Sequence, residues 1–262
     1  MMPKLANITH LIIDMDGVLY RGNQPMPRLR EFFTFLRERS IAFILATNNS
    51  TRTPQEYVDK LAGMGVSVSP DEILVSGQAT ARYLAREYPR GTRIHVFGMP
   101  ALKQALTNEG FVLVDEDVQL LVASMDRDVT YEKLKRATLL IRSGARFIAT
   151  NLDPTNPSEE GLIPGTGAMI AALEAASGVK PTAIGKPEPI MYQLAMDQMG
   201  APAETTAAIG DRADTDILGG KQAGLLTLCV LSGSSDRAEA EAFGADMIFN
   251  DIGHLLETWQ SQ

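Results

Sequence analysis

The chain has one cysteine, one tryptophan and three histidines in 262 residues. A single thiol excludes any disulfide within the chain, and Cys229 lies inside the apolar run LLTLCVL, where it reads as a small buried hydrophobe. His10, His95 and His254 lack the spacing of a metal site and read as structural or exposed. Long apolar runs are missing as well. No stretch approaches the ~18 uninterrupted apolar residues of a membrane span, and the opening MMPKLANITH is not a charged-then-apolar leader. Cytoplasmic residence with no membrane partner is therefore the expectation. Basic clusters are also scarce, with 24 Lys+Arg against 32 Asp+Glu and a net charge of −8, which argues against a nucleic-acid partner.

What is present describes a folded α/β protein. Hydrophobic content of 45% with 21% charged residues suits a soluble globular chain, and the length exceeds the usual ~100–200 residues of one domain. The apolar runs ITHLIID, IAFILAT, AAIGD, LLTLCVL and DMIFN predict buried strands. Between the first two, Leu29, Phe32, Phe33 and Leu36 repeat at helical spacing behind Pro27. Strand and helix patterns recur through PEPIMYQLAMDQMG and TDILGGKQAG, so both chain ends read as one parallel sheet. The middle carries its own strands, RIHVFG, FVLV, VQLLVASM and RFIATN, with helices ALKQALTNEG, YEKLKRATLLIRSG and GAMIAALEAASG. The expected organisation is a core domain of residues 1–77 and 182–262 interrupted by an inserted α/β domain of residues 78–181. NLDPTNPSEEGLIPGTG reads as the one conspicuous loop. The twelve methionines, Met191, Met196 and Met199 among them, read as core filler.

Four groups of chemically capable residues fall at the C-terminal ends of predicted core strands, the edge where open α/β sheets bind ligands. Asp14 and Asp16 come first, in DMDGVLY, with Gly17 allowing a tight turn. Two carboxylates about 4 Å apart repel by roughly 4 kcal/mol at an effective dielectric of about 20, a cost that a shared cation removes. Thr47, Asn48 and Asn49 follow in TNNST, offering a hydroxyl and amides to a phosphate oxygen, although such residues also start helices. Lys186 stands in GKPEP, where an ammonium beside carboxylates can neutralise a transferring phosphoryl group. Asp211 ends AAIGD as a further metal ligand, and either of the two acids after it, Asp214 and Asp216, can cap the following helix, the reading that Asp214 takes.

In this order DMDGVLY, TNNST, GKPEP and GDRADTDI resemble the motifs of the haloacid dehalogenase (HAD) superfamily, and the likeness spans essentially the whole chain. The insertion between the second and third motifs is similar to the type-two cap of subfamily IIA, the NagD-like, 4-nitrophenylphosphatase and phosphoglycolate phosphatase group. TNLDPTNPSEEGLIPGTGAM is similar to that group's cap-to-core segment. The resemblance implies a Rossmann-like core with an inserted cap, and a Mg²⁺-dependent phosphatase acting on small phosphorylated metabolites. By position it makes Asp14 the nucleophile that becomes an aspartyl phosphate, and Asp16 the acid/base. It gives Mg²⁺ to Asp14, Asp211 and the backbone carbonyl of Asp16, and the phosphoryl oxygens to Thr47, Asn48 and Asn49 with Lys186. Asp216 would orient Lys186 or a metal-bound water, and the segment from Asp153 to Asn156 would meet the leaving group. Asn156 stands where relatives favouring pyridoxal phosphate carry a histidine, so the resemblance does not extend to that substrate. Pairing of two chains through the cap is also implied.

Rival readings fit less well. A dehalogenase does not call for the second acid that Asp16 supplies. A receiver-like phosphoacceptor uses acids, Thr and Lys around an aspartate, but its size and motif order disagree. GVKPTAIGKP has six residues between its glycines and Pro after Lys186, so it fails the P-loop pattern, and GTGAMI lacks the third glycine or alanine of the dinucleotide pattern.

Overall fold

The computed structural model describes residues 5–158 and 160–261. The fold is α/β, with parallel sheets flanked by helices, and the chain forms two compact units. One unit contains residues 1–47, 54–74 and 186–262, and the other contains residues 48–53 and 75–185. The second unit thus takes in the Asn48–Thr53 segment and reaches Gly185, further than 78–181. Its extension past Pro181 follows from pairing, since the short strand Thr182–Ala183 joins the strand Arg146–Ala149 in parallel.

The first unit is built on a six-stranded sheet in the order Met247–Phe249, Leu226–Val230, Thr206–Gly210, His10–Ile13, Ala42–Thr47, Ile73–Val75. The five strands from Met247–Phe249 to Ala42–Thr47 pair in parallel. Their near-continuous apolar character is what a sheet covered on both faces requires, and Leu11, Ile12, Ile13 and Leu45 are all buried. The helix Leu29–Glu38 buries Leu29, Phe32, Phe33 and Leu36, the four residues at helical spacing. It packs against the C-terminal helix Ile252–Gln260, with Phe35 and Trp259 edge-to-face at 5.6 Å. Asp251 starts that last helix by accepting from the backbone N–H of His254 at 2.9 Å.

Chain order within the sheet creates a crevice. From His10–Ile13 the chain moves outward to Ala42–Thr47 and Ile73–Val75, and later returns on the opposite side at Thr206–Gly210. The topological switch therefore lies between His10–Ile13 and Thr206–Gly210. Ile13 pairs with both Ile209 and Leu45, so Asp14, Gly210 and Ala46 are the next residues out, followed by Asp211 and Thr47.

The second unit repeats the principle on a smaller scale. Its five-stranded sheet runs Thr182–Ala183, Arg146–Ala149, Leu120–Ala123, Arg93–Phe97, Val112–Leu113, all parallel. Helices Tyr131–Arg142 and Thr166–Ser177 bring Ala137, Ile141, Ile170 and Leu173 onto Leu121, Ala123, Phe147 and Ala149. The alanines on the strands let the helices approach closely, and each buried methylene contributes about 0.8 kcal/mol. The string NLDPTNPSEEGLIPGTG differs from the expected loop, because Thr155–Ser158 and Gly161–Pro164 form an antiparallel ribbon. Proline and glycine composition hid it, since a two-stranded ribbon has free edges where Pro157 and Pro164 need donate no hydrogen bond. Glu159 of that string lies outside the described residues.

Among the described residues, no helix is long and apolar enough to cross a membrane. Cys229 is buried in the strand Leu226–Val230, and burial pushes its thiol up to about 12. His10 bonds Thr9 at 2.8 Å, His95 faces the Val114 carbonyl at 3.2 Å, and His254 contacts the Asn250 N–H at 3.2 Å, each a local structural role.

Candidate active site

Lys186 is the centre of the switch-point crevice. Its side chain is 3% exposed, and a buried ammonium is costly unless each of its hydrogens is met. Three acceptors meet them: Asp14 Oδ1 at 2.5 Å, Asp216 Oδ1 at 2.6 Å and the Ala46 carbonyl at 3.0 Å. The residue therefore ties three pieces of chain together, namely the end of His10–Ile13, the end of Ala42–Thr47 and the segment after Thr206–Gly210.

That last segment is wound as a π-helix over Ala213–Ile217. Both Asp216 and Ile217 direct backbone N–H groups to the Arg212 carbonyl, at 2.7 and 3.3 Å. Two residues apart on a helical turn, the two acids lie on opposite faces. Asp216 is buried, with Oδ2 accepting from the Arg212 N–H at 3.1 Å, and its carbonyl accepts from the Tyr192 hydroxyl at 3.0 Å. Asp214 is exposed and pairs with the Arg212 guanidinium at 3.1 Å. It is thus not the helix cap suggested by sequence: Arg212 holds the N-cap position, and the Asp214 carboxylate meets the Arg212 side chain.

Asp211 completes the cluster. Its Oδ2 accepts from the Ser234 N–H at 2.7 Å, and its carbonyl accepts from the Ser235 N–H at 3.0 Å. Gly17 turns the chain beside it at φ 82°, and a Cβ there would lie 2.5 Å from Asp211 Oδ2, so only glycine fits. Among the described residues, Asp14, Asp211 and Asp216 form one carboxylate group, with a ligand atom of each within 4.8 Å of the others. Three acids against one ammonium leave an excess of negative charge. Burial pushes the Asp14 carboxyl well above its ordinary range, Lys186 opposes this, and Asp216 and Asp211 add to it. Burial, assisted by Asp216, likewise pushes Asp211 up to about 6. Burial works against the charge on Lys186, yet Asp14 and Asp216 hold its ammonium well above the ordinary value. Oxygen-only donors with unbalanced negative charge fit a hard divalent cation.

The remaining residues named from sequence divide into two places. Asp16 is exposed, and its backbone bridges to Tyr20. Thr47 is buried at the end of its strand in the first unit. Asn48 and Asn49 belong to the second unit, as do Asp153 and Asn156. There Asn48 Nδ2 donates to Asp153 Oδ2 at 2.9 Å, so those two are brought together. Asn49 Oδ1 instead accepts from the Thr51 N–H and hydroxyl at 2.9 and 2.7 Å, an Asx turn that shapes its own loop. Asn156 Nδ2 contacts Met125 Sδ at 3.6 Å.

Sequence reasoning missed two contributors. The serines after Leu226–Val230 surround Asp211 and the Gly17 turn, with Ser232 Oγ donating to the Gly17 carbonyl at 2.7 Å. Their position after a fifth core strand was the available signal. Asn151 was the other, a buried residue bonded to the Asn48 carbonyl at 2.8 Å.

The chain belongs to the haloacid dehalogenase-like hydrolases: that family matches residues 11–112, and a HAD-hydrolase-like family matches residues 183–255. It is 39% identical to an acid sugar phosphatase of Staphylococcus saprophyticus over 97% of this chain and 98% of that one. It is also 39% identical to a dihydroxyacetone phosphatase of Corynebacterium glutamicum, over 97% and 92%. The solved 4-nitrophenylphosphatase of Thermotoga maritima superposes with a TM-score of 0.93 at 37% identity, covering 98% of this chain and 99% of that one. NagD from Escherichia coli K-12 gives 0.88 at 34% identity, over 94% and 97%. The protein is a phosphoric monoester hydrolase of the subgroup to which NagD and the 4-nitrophenylphosphatases belong.

Proposed function

We propose that the chain is a cytoplasmic, Mg²⁺-dependent phosphatase of small sugar phosphates, acting through a phosphorylated Asp14. The observation that carries this reading is Lys186, buried between Asp14 and Asp216 at the switch point, with Asp211 in the same carboxylate group. One Asp14 oxygen attacks phosphorus as the ester P–O bond breaks, and Asp16 gives its proton to the departing oxygen. Water then attacks the same phosphorus, Asp16 takes the water proton, and the Asp14–phosphorus bond breaks to release inorganic phosphate. Asp14, Asp211 and the Asp16 carbonyl would hold Mg²⁺, with Asp216 fixing Lys186 beside them. Bound there, the cation would offset the carboxylates and the phosphoryl oxygens. Lys186 would turn an N–H from Asp14 toward those oxygens, joined by Thr47 and Asn48.

The inserted unit is the cap in this reading. Asp153 and Asn156 offer a carboxylate acceptor and an amide to hydroxyl groups on the leaving alcohol, which suits short sugar phosphates. Two of the relatives bear names of that chemistry, the acid sugar phosphatase and the dihydroxyacetone phosphatase. The test is a panel of phosphate monoesters incubated with Mg²⁺, read by phosphate release. Hydroxyl-rich phosphates of about three to six carbons are expected to lead the panel. Absence of release from every member sinks the reading.

A further inference from the structure

Asn151 lies one residue beyond Thr150 at the end of the strand Arg146–Ala149, and it is 2% exposed. Its Nδ2 carries two hydrogens and meets the Asn48 carbonyl at 2.8 Å, with Thr150 Oγ1 and Thr166 Oγ1 farther off at 3.3 Å each. Its Oδ1 accepts from the Asp153 backbone N–H at 3.1 Å. Asn48 Nδ2 then donates to Asp153 Oδ2 at 2.9 Å, closing a ring through three residues. Each residue makes one bond to each of the others, so moving any one releases both partners.

The surroundings leave little slack. The Ser76 hydroxyl donates to the same Asn48 carbonyl at 2.5 Å, and Thr150 Oγ1 donates to Ser124 Oγ at 2.8 Å, which in turn pairs with Ser50. Gly185 backs onto Asn48, where a Cβ would lie 2.5 Å from Asn48 Oδ1. Only an amide side chain donates to the Asn48 carbonyl at one end while accepting from the Asp153 N–H at the other. Aspartate keeps the acceptor and loses the donor, and alanine loses both. All of these residues belong to one compact unit.

We propose that Asn151 is a positioning residue that sets Asn48 and Asp153 as one rigid pair, fixing the distance between the phosphoryl contact and the leaving-group contact. The proposal rests on the reading of Asn48 and Asp153 given above. It makes Asn151 touch neither phosphate nor leaving group, and act through both of its neighbours.

The test combines a direct view of the pair with kinetics. In Asn151→Ala, the Asn48 side-chain amide signals of the ¹⁵N-labelled protein shift and their hydrogen exchange quickens at least tenfold. The KM for 4-nitrophenyl phosphate and the inhibition constant of inorganic phosphate rise about tenfold, while kcat stays within about threefold. Asn151→Asp keeps the shape and the Asp153 bond, so it disturbs the Asn48 signals more than the Asp153 amide. In an Asn48→Ala background, Asn151→Ala costs less than about twofold in the phosphate inhibition constant, the non-additivity of residues acting together. Unmoved Asn48 and Asp153 signals in both Asn151 variants overturn the proposal, as does an equal cost in the two backgrounds. Signals that move while both Asn48→Ala and Asn151→Ala leave KM and phosphate inhibition unchanged support the positioning, and they remove Asn48 from the phosphate site.

Discussion

The sheet edge of the first unit carries Asp14, Asp211, Asp216 and Lys186, whereas that of the second carries Ser124, Thr150 and Asn151. Apart from the partly buried Asp14, both sets are buried, and both sit where parallel strands end. The first cannot balance itself, since three carboxylates share one ammonium. The three residues of the second are neutral, and their hydroxyls and amide are met by neighbouring donors and acceptors. An unbalanced cluster keeps capacity for a cation and an anionic group, while a balanced one only holds shape. Burial thus leaves charge to be met in one unit and fixes geometry in the other.

Substitution of Lys186 should break this contrast most severely. Lys186→Met leaves three buried carboxylates without their ammonium, so turnover of 4-nitrophenyl phosphate falls at least about a thousandfold and stability falls by about 3–5 kcal/mol. Denaturant titration in EDTA measures the second effect, and a loss under about 1 kcal/mol would show that the carboxylates do not depend on the lysine. Asp14→Asn should separate the two properties. Turnover falls as far, but the melting temperature in EDTA holds or rises, because one of three mutually repelling acids has been neutralised. A large thermal loss in that variant contradicts the charge accounting.

Cation binding offers the next test. Mg²⁺ at about 100 times its dissociation constant stabilises the protein by about 2.7 kcal/mol, and Asp211→Asn removes that gain. Persistence of the full thermal shift in the variant would place the cation elsewhere. In the neutral cluster, Ser124→Ala removes the hydroxyl that Ser50 and Thr150 share, costing about 1–3 kcal/mol with kcat within about threefold of the parent. A thousandfold loss of kcat there would erase the distinction between the clusters.

The smallest effect concerns a surface pair, where solvent screens what burial amplifies in the cluster. Glu72 meets Arg37 at 2.5 Å and caps its own turn through the Ser69 N–H at 2.8 Å. Burial works to raise its carboxyl, but the Arg37 bond and the Ser69 contacts hold it below the ordinary value. A lowered folded value means stability that is present above the unfolded value and lost as pH falls through the folded one. Glu72→Gln should thus cost about 0.5–1 kcal/mol at neutral pH, and the difference from the parent should start to shrink as pH falls past the ordinary glutamate value of about 4.3 and vanish below the lowered folded one. A difference that grows on acidification has the wrong sign for this pair.

Most strands of the two sheets were legible because burial on both faces leaves continuous apolar runs, and helical spacing exposes residues such as Phe32 and Phe33, but the edge strands Ile73–Val75 and Thr182–Ala183, of three and two residues, are too short to leave such a run. The switch-point acids were legible because Asp14 and Asp211 break such runs abruptly. Three further features were not. The Thr155–Ser158 ribbon has the composition of a loop, since an isolated pair of strands needs no buried face. The pairing of Asp214 with the Arg212 side chain depends on how the turn after Asp211 packs, which leaves no mark on composition. Asn151 looked like any polar residue after a strand, because its partners Asn48 and Asp153 are assembled by the fold.

Cys229 has a practical consequence for studying all of this. The chain has no other thiol, and this one is buried in the strand next to one edge of the first unit's sheet, with burial raising its thiol to about 12. Disulfide reagents need a solvated thiolate, so the folded protein is inert to them and each labelling event records an opening of the core. The rate of colour release from a chromogenic disulfide becomes a clock for that opening, set without adding any probe. Run with and without Mg²⁺, the clock reports how far a cation at one edge of the sheet slows the unfolding of its interior.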